Sequence, residues 1–301
     1  MGAGVNSGIP VFYVEQFSSN IQLKLQQRGS RLRGAVMEGH HVGSQASPVD
    51  QFGAINANKV TGRYNPIARV DAPTDRRWVF PQDYDLPQLL DSFDKLRLLI
   101  DPMSSYVTNA QYALGRAMDQ EILNGLLLTN YTGNNGATTT TLPSTQVVSV
   151  QQGAASSTNF TVAKVRAGKK ILLTNEVDLD MDPIFAAINA TNHDNLLAEV
   201  QVISTEFNDK PVMVEGKVQR FLGCDFIHTE LVFTGTDDQS GTSTANPMWA
   251  KSGGYCGIWN DIMTDISRRH DMQGIPYQAY VFGTFGGTRL EEKKIVQIWS
   301  H

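Results

Sequence analysis

Residues 101–128 read DPMSSYVTNAQYALGRAMDQEILNGLLL, and this stretch predicts a long helix around which the rest of the chain is arranged. Asp101 is suited to cap the helix and Pro102 to open it. Apolar or small side chains then recur at helical spacing, at Tyr106, Val107, Ala110, Ala113, Leu114, Ala117, Met118, Ile122 and Leu126. At about 1.5 Å per residue, such a helix is roughly 40 Å long. Asp119 and Glu121 point to different faces, so a structural cap or salt bridge is expected of them, not acid–base chemistry.

The composition is that of a foldable chain of one or two domains: 301 residues, 41% hydrophobic, 18% charged, with a formal charge of −5. A mildly acidic chain is a poor candidate for sequence-specific nucleic-acid binding. The two cysteines, Cys224 and Cys256, form no CxxC pair, which disfavours a disulfide framework and a zinc site and fits a reducing compartment. We expect no signal peptide and no membrane span, since no apolar run is long enough.

The region before the long helix is read as an extended arm followed by β structure. Residues 1–14 are rich in glycine, and residues 15–29 carry a short helical pattern. Residues 34–80 combine turn residues with β-formers, which predicts a long β-hairpin or protruding loop. The spacing of apolar residues over 86–100 predicts a short helix.

The region after the long helix begins with a polar loop, TNYTGNNGATTTTLP at 129–143. We predict a helix over 161–174, a buried strand over 183–190 and a helix over 193–202. The remainder is rich in β-formers, and the GTFGG run at 283–287 predicts a bulge or tight turn. Helices followed by returning strands indicate the α+β class.

Motifs of common chemistries are missing from the sequence: it has no GxxxxGK[ST] phosphate loop, no HExxH and no GxSxG. Asp178, Asp180 and Asp182 imitate the start of a calcium loop. However, Pro183 stands where that loop needs its turn glycine and Asn189 where it needs its bidentate glutamate. A solvated acidic edge is the favoured interpretation. We therefore predict no catalytic, cofactor-binding or metal-binding residue, and a protein that is not an enzyme.

Charge is segregated along the chain, with a basic region over 24–77 and an acidic one over 176–209. Complementary charge on a chain with an arm and a hairpin fits self-assembly through reciprocal contacts. We predict inter-subunit contacts at Arg63, Arg69, Arg76, Arg77, Asp178, Asp180 and Asp182.

Four stretches carry a resemblance to a known family: QQRGSRLRGAV at 26–36, residues 76–122 from RRWVFPQDYD to GRAMDQEI, GKVQRFLGCDFIHTE at 216–230, and the tail FGTFGGTRLEEKKIVQIWSH. The chain resembles the major capsid proteins of tailed double-stranded DNA phages, which have the Hong Kong 97-like (Johnson) fold. The second stretch is the most specific, since such chains run from a hairpin through a "D…DP.S.Y" pattern into a spine helix with "GRA.D".

The resemblance implies an α+β Hong Kong 97-like capsid fold in five parts. These are an N-terminal arm at 1–38, an extended β-hairpin loop at 39–84, a peripheral domain with the spine helix at 85–145, an axial domain at 146–270, and strands returning to the peripheral domain at 271–301.

The implied function is assembly through hexamers and pentamers into an icosahedral shell enclosing phage DNA. The partners would be further copies of the chain, a portal protein and packaged double-stranded DNA held by non-specific contacts, with room for a separate scaffold protein and no membrane. The location would be the virion capsid, assembled in the host cytoplasm. The alternatives are an encapsulin-like compartment shell, a phage tail or decoration protein, or a metal-dependent enzyme using Asp178, Asp180 and Asp182.

Overall fold

The computed structural model describes residues 25–43, 47–53, 55–59, 62, 69–91, 103–199 and 218–301. Its α-helices in these ranges are α1 (Met103–Leu127), α2 (Val162–Thr174) and α3 (Ala190–Leu197). Its strands are β1 (Met37–His40), β2 (Ser47–Phe52), β3 (Thr74–Val79), β4 (Gln82–Leu90), β5 (Asn130–Thr132), β6 (Thr138–Thr140), β7 (Val147–Val148), β8 (Ile184–Ile188), β9 (Arg220–Phe221), β10 (Cys224–His228), β11 (Phe233–Thr236), β12 (Thr242–Ala250), β13 (Gly254–Arg268), β14 (Tyr277–Arg289) and β15 (Ile295–Ser300).

The strands form three sheets. One has the order β1-β13-β14-β4 and another the order β2-β3-β5-β6. The third has seven strands in the order β7-β15-β12-β8-β10-β9, with β11 paired to β12. This sheet is mixed, because β10 runs parallel to β8 whereas β12 runs antiparallel to both β8 and β15. Few helices with many strands in mixed order make an α+β fold.

The two features that dominate the sequence are confirmed in the described residues. The long helix spans Met103–Leu127, and the predicted cap at Asp101 and Pro102 lies outside the described ranges. The hairpin is an antiparallel pair in which Asp50 of β2 faces Arg76 of β3. The predicted helix over 161–174 is observed as α2. The arm at 1–14 and residues 15–24 of the helical pattern also lie outside the described ranges. The remaining residues of that pattern, 25–29, are described and form no helix, so the prediction is wrong there.

The predicted helix over 86–100 is wrong over its first five residues, which belong to strand β4. Exposure alternates along this strand with period two up to the buried Leu90. Pro87 is tolerated because β4 is the edge strand of its sheet, where a missing N–H breaks no ladder. Residues 92–100 of the prediction lie outside the described ranges.

Three further local predictions needed correction. The polar stretch after α1 contains the short strands β5 and β6, which pair through threonine-rich registers such as Asn130 opposite Thr140. Helix α3 starts at Ala190, before the predicted 193, because the Asn189 side chain caps it by accepting from the Asn192 N–H at 2.8 Å. The GTFGG run lies inside β14 and makes no turn.

The chain divides into two compact units, and each is described by itself. The first takes the residues up to Ser30, Asp83–Ala117 and Asn260–Thr284. In it, the Asn109 side chain on α1 accepts from Gln26 at 2.8 Å, and Arg116 donates to Gln26 Oε1 at 2.9 Å. Gly115 makes room for the preceding segment, since a Cβ there would lie 2.6 Å from the carbonyl carbon of Gly29.

The second unit takes Arg31–Gln82, Met118–Trp259 and Phe285–His301. A buried apolar cluster lines α2, β8, β10, β12 and β15, with Phe160, Leu172, Ile188, Met248 and Ile298 at its centre. The buried Lys164 of α2 donates to the carbonyls of Thr158 (2.6 Å) and Trp299 (2.8 Å), and so attaches the helix to the last strand. Burial lowers the pKa of Lys164 to about 8. The five-part division implied by the resemblance stays a prediction.

Two glycines set how closely α1 packs on β14 within the second unit. A Cβ at Gly125 would lie 2.4 Å from the carbonyl carbon of Gly287, and one at Gly287 would lie 2.2 Å from the Glu121 carbonyl oxygen. Both contacts are with backbone atoms, which cannot rotate away. No larger residue fits at either position without moving the helix off the strand.

No helix in the described ranges combines the length and the hydropathy that crossing a bilayer requires.

We predict that Gly125→Ala destabilises the protein although alanine favours helices. The clash with the Gly287 backbone should cost on the order of 2 kcal/mol after the gain in helix propensity is subtracted. The matched control is Gly34→Ala, because a Cβ at Gly34 meets nothing within 4 Å. Urea unfolding of the two variants measures the difference. Equal midpoints for Gly125→Ala and the wild type would contradict the close packing.

Candidate functional site

The hairpin of β2 and β3 presents charged side chains that pair with each other on its exposed surface. Arg76 Nε lies 2.5 Å from Asp50 Oδ1 across the two strands, and both side chains are about half exposed. Arg69 Nε lies 2.7 Å from Asp71 Oδ1, and its side chain is 86% exposed. Arg63 lies outside the described ranges. These pairs are solvated and contribute little to folding, so their charges remain available to a neighbouring molecule.

Arg77 differs from the other predicted contact residues because it is only 6% exposed. Its Nη2 lies 2.7 Å from Glu292 Oε2, and its Nε donates to the Leu290 carbonyl at 3.0 Å. Arg77 therefore ties the base of the hairpin to the segment before β15. Its role in a contact between subunits stays a prediction.

Asp75 completes the polar base of the hairpin. Burial would raise the pKa of its carboxyl, but the hydrogen bonds from the Thr132 hydroxyl (2.6 Å) and the Arg76 N–H, with the Arg77 charge, lower it instead. The carboxylate form is the one that holds β3 to β5.

Arg289 is a structural cation that none of the sequence motifs predicted. It is fully buried, and its guanidinium donates to the carbonyls of Leu126 (3.1 Å), Leu128 (2.7 Å) and Thr140 (2.9 Å). Two of these carbonyls belong to the end of α1, where a cation is also favoured by the helix dipole. Its spacing of three residues from Glu292 in TRLEE was the available signal, and their side chains lie 3.6 Å apart.

The acidic edge is a turn between α2 and β8. The Asp178 carboxylate accepts from the N–H groups of Asp180 (3.0 Å) and Met181 (3.4 Å), which shapes the turn. Asp182 accepts from the N–H of Ser252 at 3.0 Å and from its hydroxyl. Asp180 stays exposed. Among the described residues no group of His, Cys, Asp and Glu side chains could hold a metal ion.

The described hairpin arginines form no ion pair with the acidic turn of the same chain. Among the described residues, the ion partners of Arg69, Arg76 and Arg77 are Asp71, Asp50, Asp75 and Glu292. A groove on α2 lined by basic side chains, which the sequence search did not single out, lies in the same unit as the turn.

These surfaces carry opposite charges without a nucleophile–base pair or a metal cluster in the described residues. Exposed, oppositely charged patches on a rigid scaffold can recognise another protein surface and set its orientation. Binding between protein molecules is therefore the chemistry that the arrangement supports.

A comparison with protein families matches residues 9–300 to the model described as "Phage capsid protein". The chain belongs to the phage capsid protein family. None of the curated protein sequences compared with it is significantly similar.

Solved capsid structures share the fold of this capsid protein at low sequence identity. The capsid asymmetric unit of cyanophage Pam1 is 11% identical, with a TM-score of 0.72 and 99% of each chain covered. A structure of Mycobacterium phage Che8 is 12% identical, with a TM-score of 0.68 and 98% of each chain covered. The capsid of a native GTA particle is also 12% identical, with a TM-score of 0.68, covering 100% of this chain and 99% of the other.

The α+β capsid fold expected from the sequence is thus confirmed, and the long helix and hairpin are compatible with its Hong Kong 97-like form. The capsid protein is a component of the virion shell, and its family is structural. Its exposed charges are therefore candidates for subunit contacts.

We predict that Arg77→Met destabilises the capsid protein far more than Arg69→Met. Removing Arg77 leaves Glu292, whose side chain is 16% exposed, without its closest partner, which should cost about 3 kcal/mol. Removing the exposed Arg69 should cost less than about 1 kcal/mol. Urea unfolding of both variants gives the two losses. Similar losses would show that Arg77 does not anchor the hairpin.

Proposed function

We propose that this capsid protein is the major shell subunit of a tailed double-stranded DNA phage. Copies of the chain associate as hexamers and pentamers, which close into an icosahedral shell around the DNA. The observation that carries the proposal is the coverage: the chain aligns with a phage capsid subunit over 99% of both lengths, so neither chain has a large part without a counterpart.

The proposed partners follow from this role. They are further copies of the chain, a portal protein, the packaged DNA and a separate scaffold protein where one is used. Contact with DNA is electrostatic and independent of the DNA sequence. The chain has a formal charge of −5, and its sequence shows no motif that reads DNA bases. The subunit assembles in the host cytoplasm, and its role is assembly without catalysis.

The hairpin supplies one set of subunit contacts in this proposal. Arg69 and Arg76 are exposed and held only by solvated pairs, so their charge can be shared with acidic groups on a neighbour. Arg63, in the same hairpin sequence, is proposed for the same role. Arg77 anchors the hairpin through Glu292 and the Leu290 carbonyl, and its contact with a neighbouring subunit stays a prediction.

The assembly state of the purified protein tests the proposed function. Negative-stain electron microscopy, with the elution volume measured alongside, should show closed shells or rings of five and six subunits. Double-stranded DNA inside shells isolated from infected cells is the expected content. Cargo enzymes in place of DNA would identify an encapsulin-like compartment. A monomer or dimer under all conditions, including co-expression with a scaffold protein, would refute the proposal.

We predict that Arg69→Glu together with Arg76→Glu blocks shell formation while the subunit stays folded. The reversed charges would repel the acidic groups of the neighbour, and juxtaposed like charges at an interface are strongly unfavourable. Circular dichroism checks the fold, and electron microscopy counts the shells.

The matched control reverses two exposed basic residues outside the hairpin, Arg220→Glu and Lys293→Glu, with the same change in net charge. This control should assemble. Normal shells from the hairpin variant, or equal loss in the control, would remove the hairpin from the proposal.

A further inference from the structure

A groove of about 400 Å³ on the outer side of α2 combines positive charge with an apolar floor. It is lined by Arg166, Lys169, Lys170, Leu173, Thr174 and Leu222. Leu173 is 49% exposed, and together with Leu222 it forms the apolar floor of the groove.

Two of the three cations in this groove have no carboxylate partner among the described residues. Arg166 and Lys170 are exposed and form no ion pair with any described residue. Lys169 is held in place, since its Nζ donates to the Leu222 carbonyl at 2.7 Å and so fixes one wall of the groove. By contrast, the described hairpin arginines all have carboxylate partners in the same chain.

The acidic turn has the complementary character. Met181 stands at its tip with 83% of its surface exposed, between Asp180 and Asp182. The hydrogen bonds from the Asp180 and Met181 N–H groups to Asp178 hold the turn in shape. Asp180 and Glu176 are exposed and form no ion pair with any described residue. The turn is thus a preformed apolar tip surrounded by carboxylates.

We propose that the acidic turn around Met181 of one subunit docks into the α2 groove of a second copy of this chain. Met181 packs on Leu173 and Leu222, while Glu176 and Asp180 approach Arg166 and Lys170. The inference rests on the self-assembly proposed above and names one contact that performs it. It also gives the acidic turn a partner other than the hairpin arginines.

The geometry of such a contact is the kind from which rings are built. Turn and groove are different surfaces of the same chain, so the contact is heterologous: each subunit offers its turn to one neighbour and its groove to the other. A heterologous contact generates a closed ring when the rotation closes. The contact is small compared with the roughly 1,200 Å² or more of a stable interface, so it acts as an oriented anchor within a larger one.

The apolar floor favours the acidic turn over a nucleic acid as the partner that binds in the groove. A phosphate backbone would use the cations but leave Leu173 and Leu222 uncovered, whereas Met181 buries them. The apolar match between tip and floor is therefore the reason for preferring a protein partner.

Disulfide trapping between two different variants tests the docking directly. Met181→Cys and Leu173→Cys full-length proteins are mixed, assembled under conditions in which the wild type assembles, and oxidised. A covalent dimer should appear in the mixture and in neither variant alone, because a disulfide forms only between Cα atoms about 4.4–6.8 Å apart. The native Cys224 and Cys256 are buried and should not interfere. Leu173→Cys mixed with Met263→Cys, another exposed methionine position, is the matched control and should give no dimer.

Each outcome of the trapping decides the matter. Wild-type assembly with no dimer in the mixture would overturn the docking and leave the proposed function standing. Dimers in Met181→Cys or Leu173→Cys alone would indicate a symmetric contact and overturn it as well. A wild type that never assembles would overturn both proposals.

Charge reversal gives an independent readout. Lys170→Glu should raise the protein concentration needed for ring formation about tenfold, because like charges then face each other. Adding Asp180→Lys should restore assembly, whereas adding the control Asp194→Lys, an exposed acidic position on α3, should not. If Lys170→Glu lowers only the DNA content of otherwise normal particles, the groove binds a polyanion and the docking is refuted.

Discussion

The structure depends on how closely α1 packs on β14. Gly125 and Gly287 bring the two backbones together, since a Cβ at Gly125 would lie 2.4 Å from the Gly287 carbonyl carbon. Two residues further along β14, Arg289 enters the interior and donates to the Leu126 and Leu128 carbonyls at the end of the helix. A strand that reaches this far can satisfy carbonyl groups that the helix itself leaves unpaired. The glycines set the distance between the helix and the strand, and at that distance Arg289 reaches the carbonyls at the end of the helix.

The same helix holds the segment that precedes β1, and it does so with the residues of its GRAMD motif. Gly115 leaves space for the backbone of Gly29, and Arg116 donates to Gln26 at 2.9 Å. Asp119, fully buried, accepts from the Arg31 N–H at 2.9 Å. Asp119 therefore has a structural role. Its buried carboxylate accepts hydrogen bonds from backbone N–H groups, because a buried carboxylate needs hydrogen-bond donors.

Local sequence patterns predicted the elements that carry a strong periodicity of their own. The 3.6-residue period of α1 extends over seven turns, so the helix is predicted even though single residues within it depart from the apolar pattern. The prediction from local sequence failed at β4, because Leu86, Leu89 and Leu90 fit a helix equally well and only pairing in a sheet selects the strand. It failed again at β5 and β6, where pairing to β3 orders a polar sequence that resembles a loop. Arg77 contacts Glu292 and the Leu290 carbonyl, and both lie more than a hundred residues away in sequence. The same holds for the three carbonyls that accept from Arg289, and no spacing rule reports contacts of this kind.

The sequence shows how charge is distributed along the chain, but it does not show which charged side chains pair with each other in the folded protein. Segregation into a basic and an acidic region was visible, and it suggested that the hairpin arginines seek acidic partners. In the folded chain the described hairpin arginines already have such partners, whereas the turn carboxylates form no ion pair with any residue that the structure describes. An exposed charge without a partner loses less on entering an interface than one that must first break a pair, although both must give up water. Which charges are free is therefore a better guide to subunit contacts than how many charges a region carries.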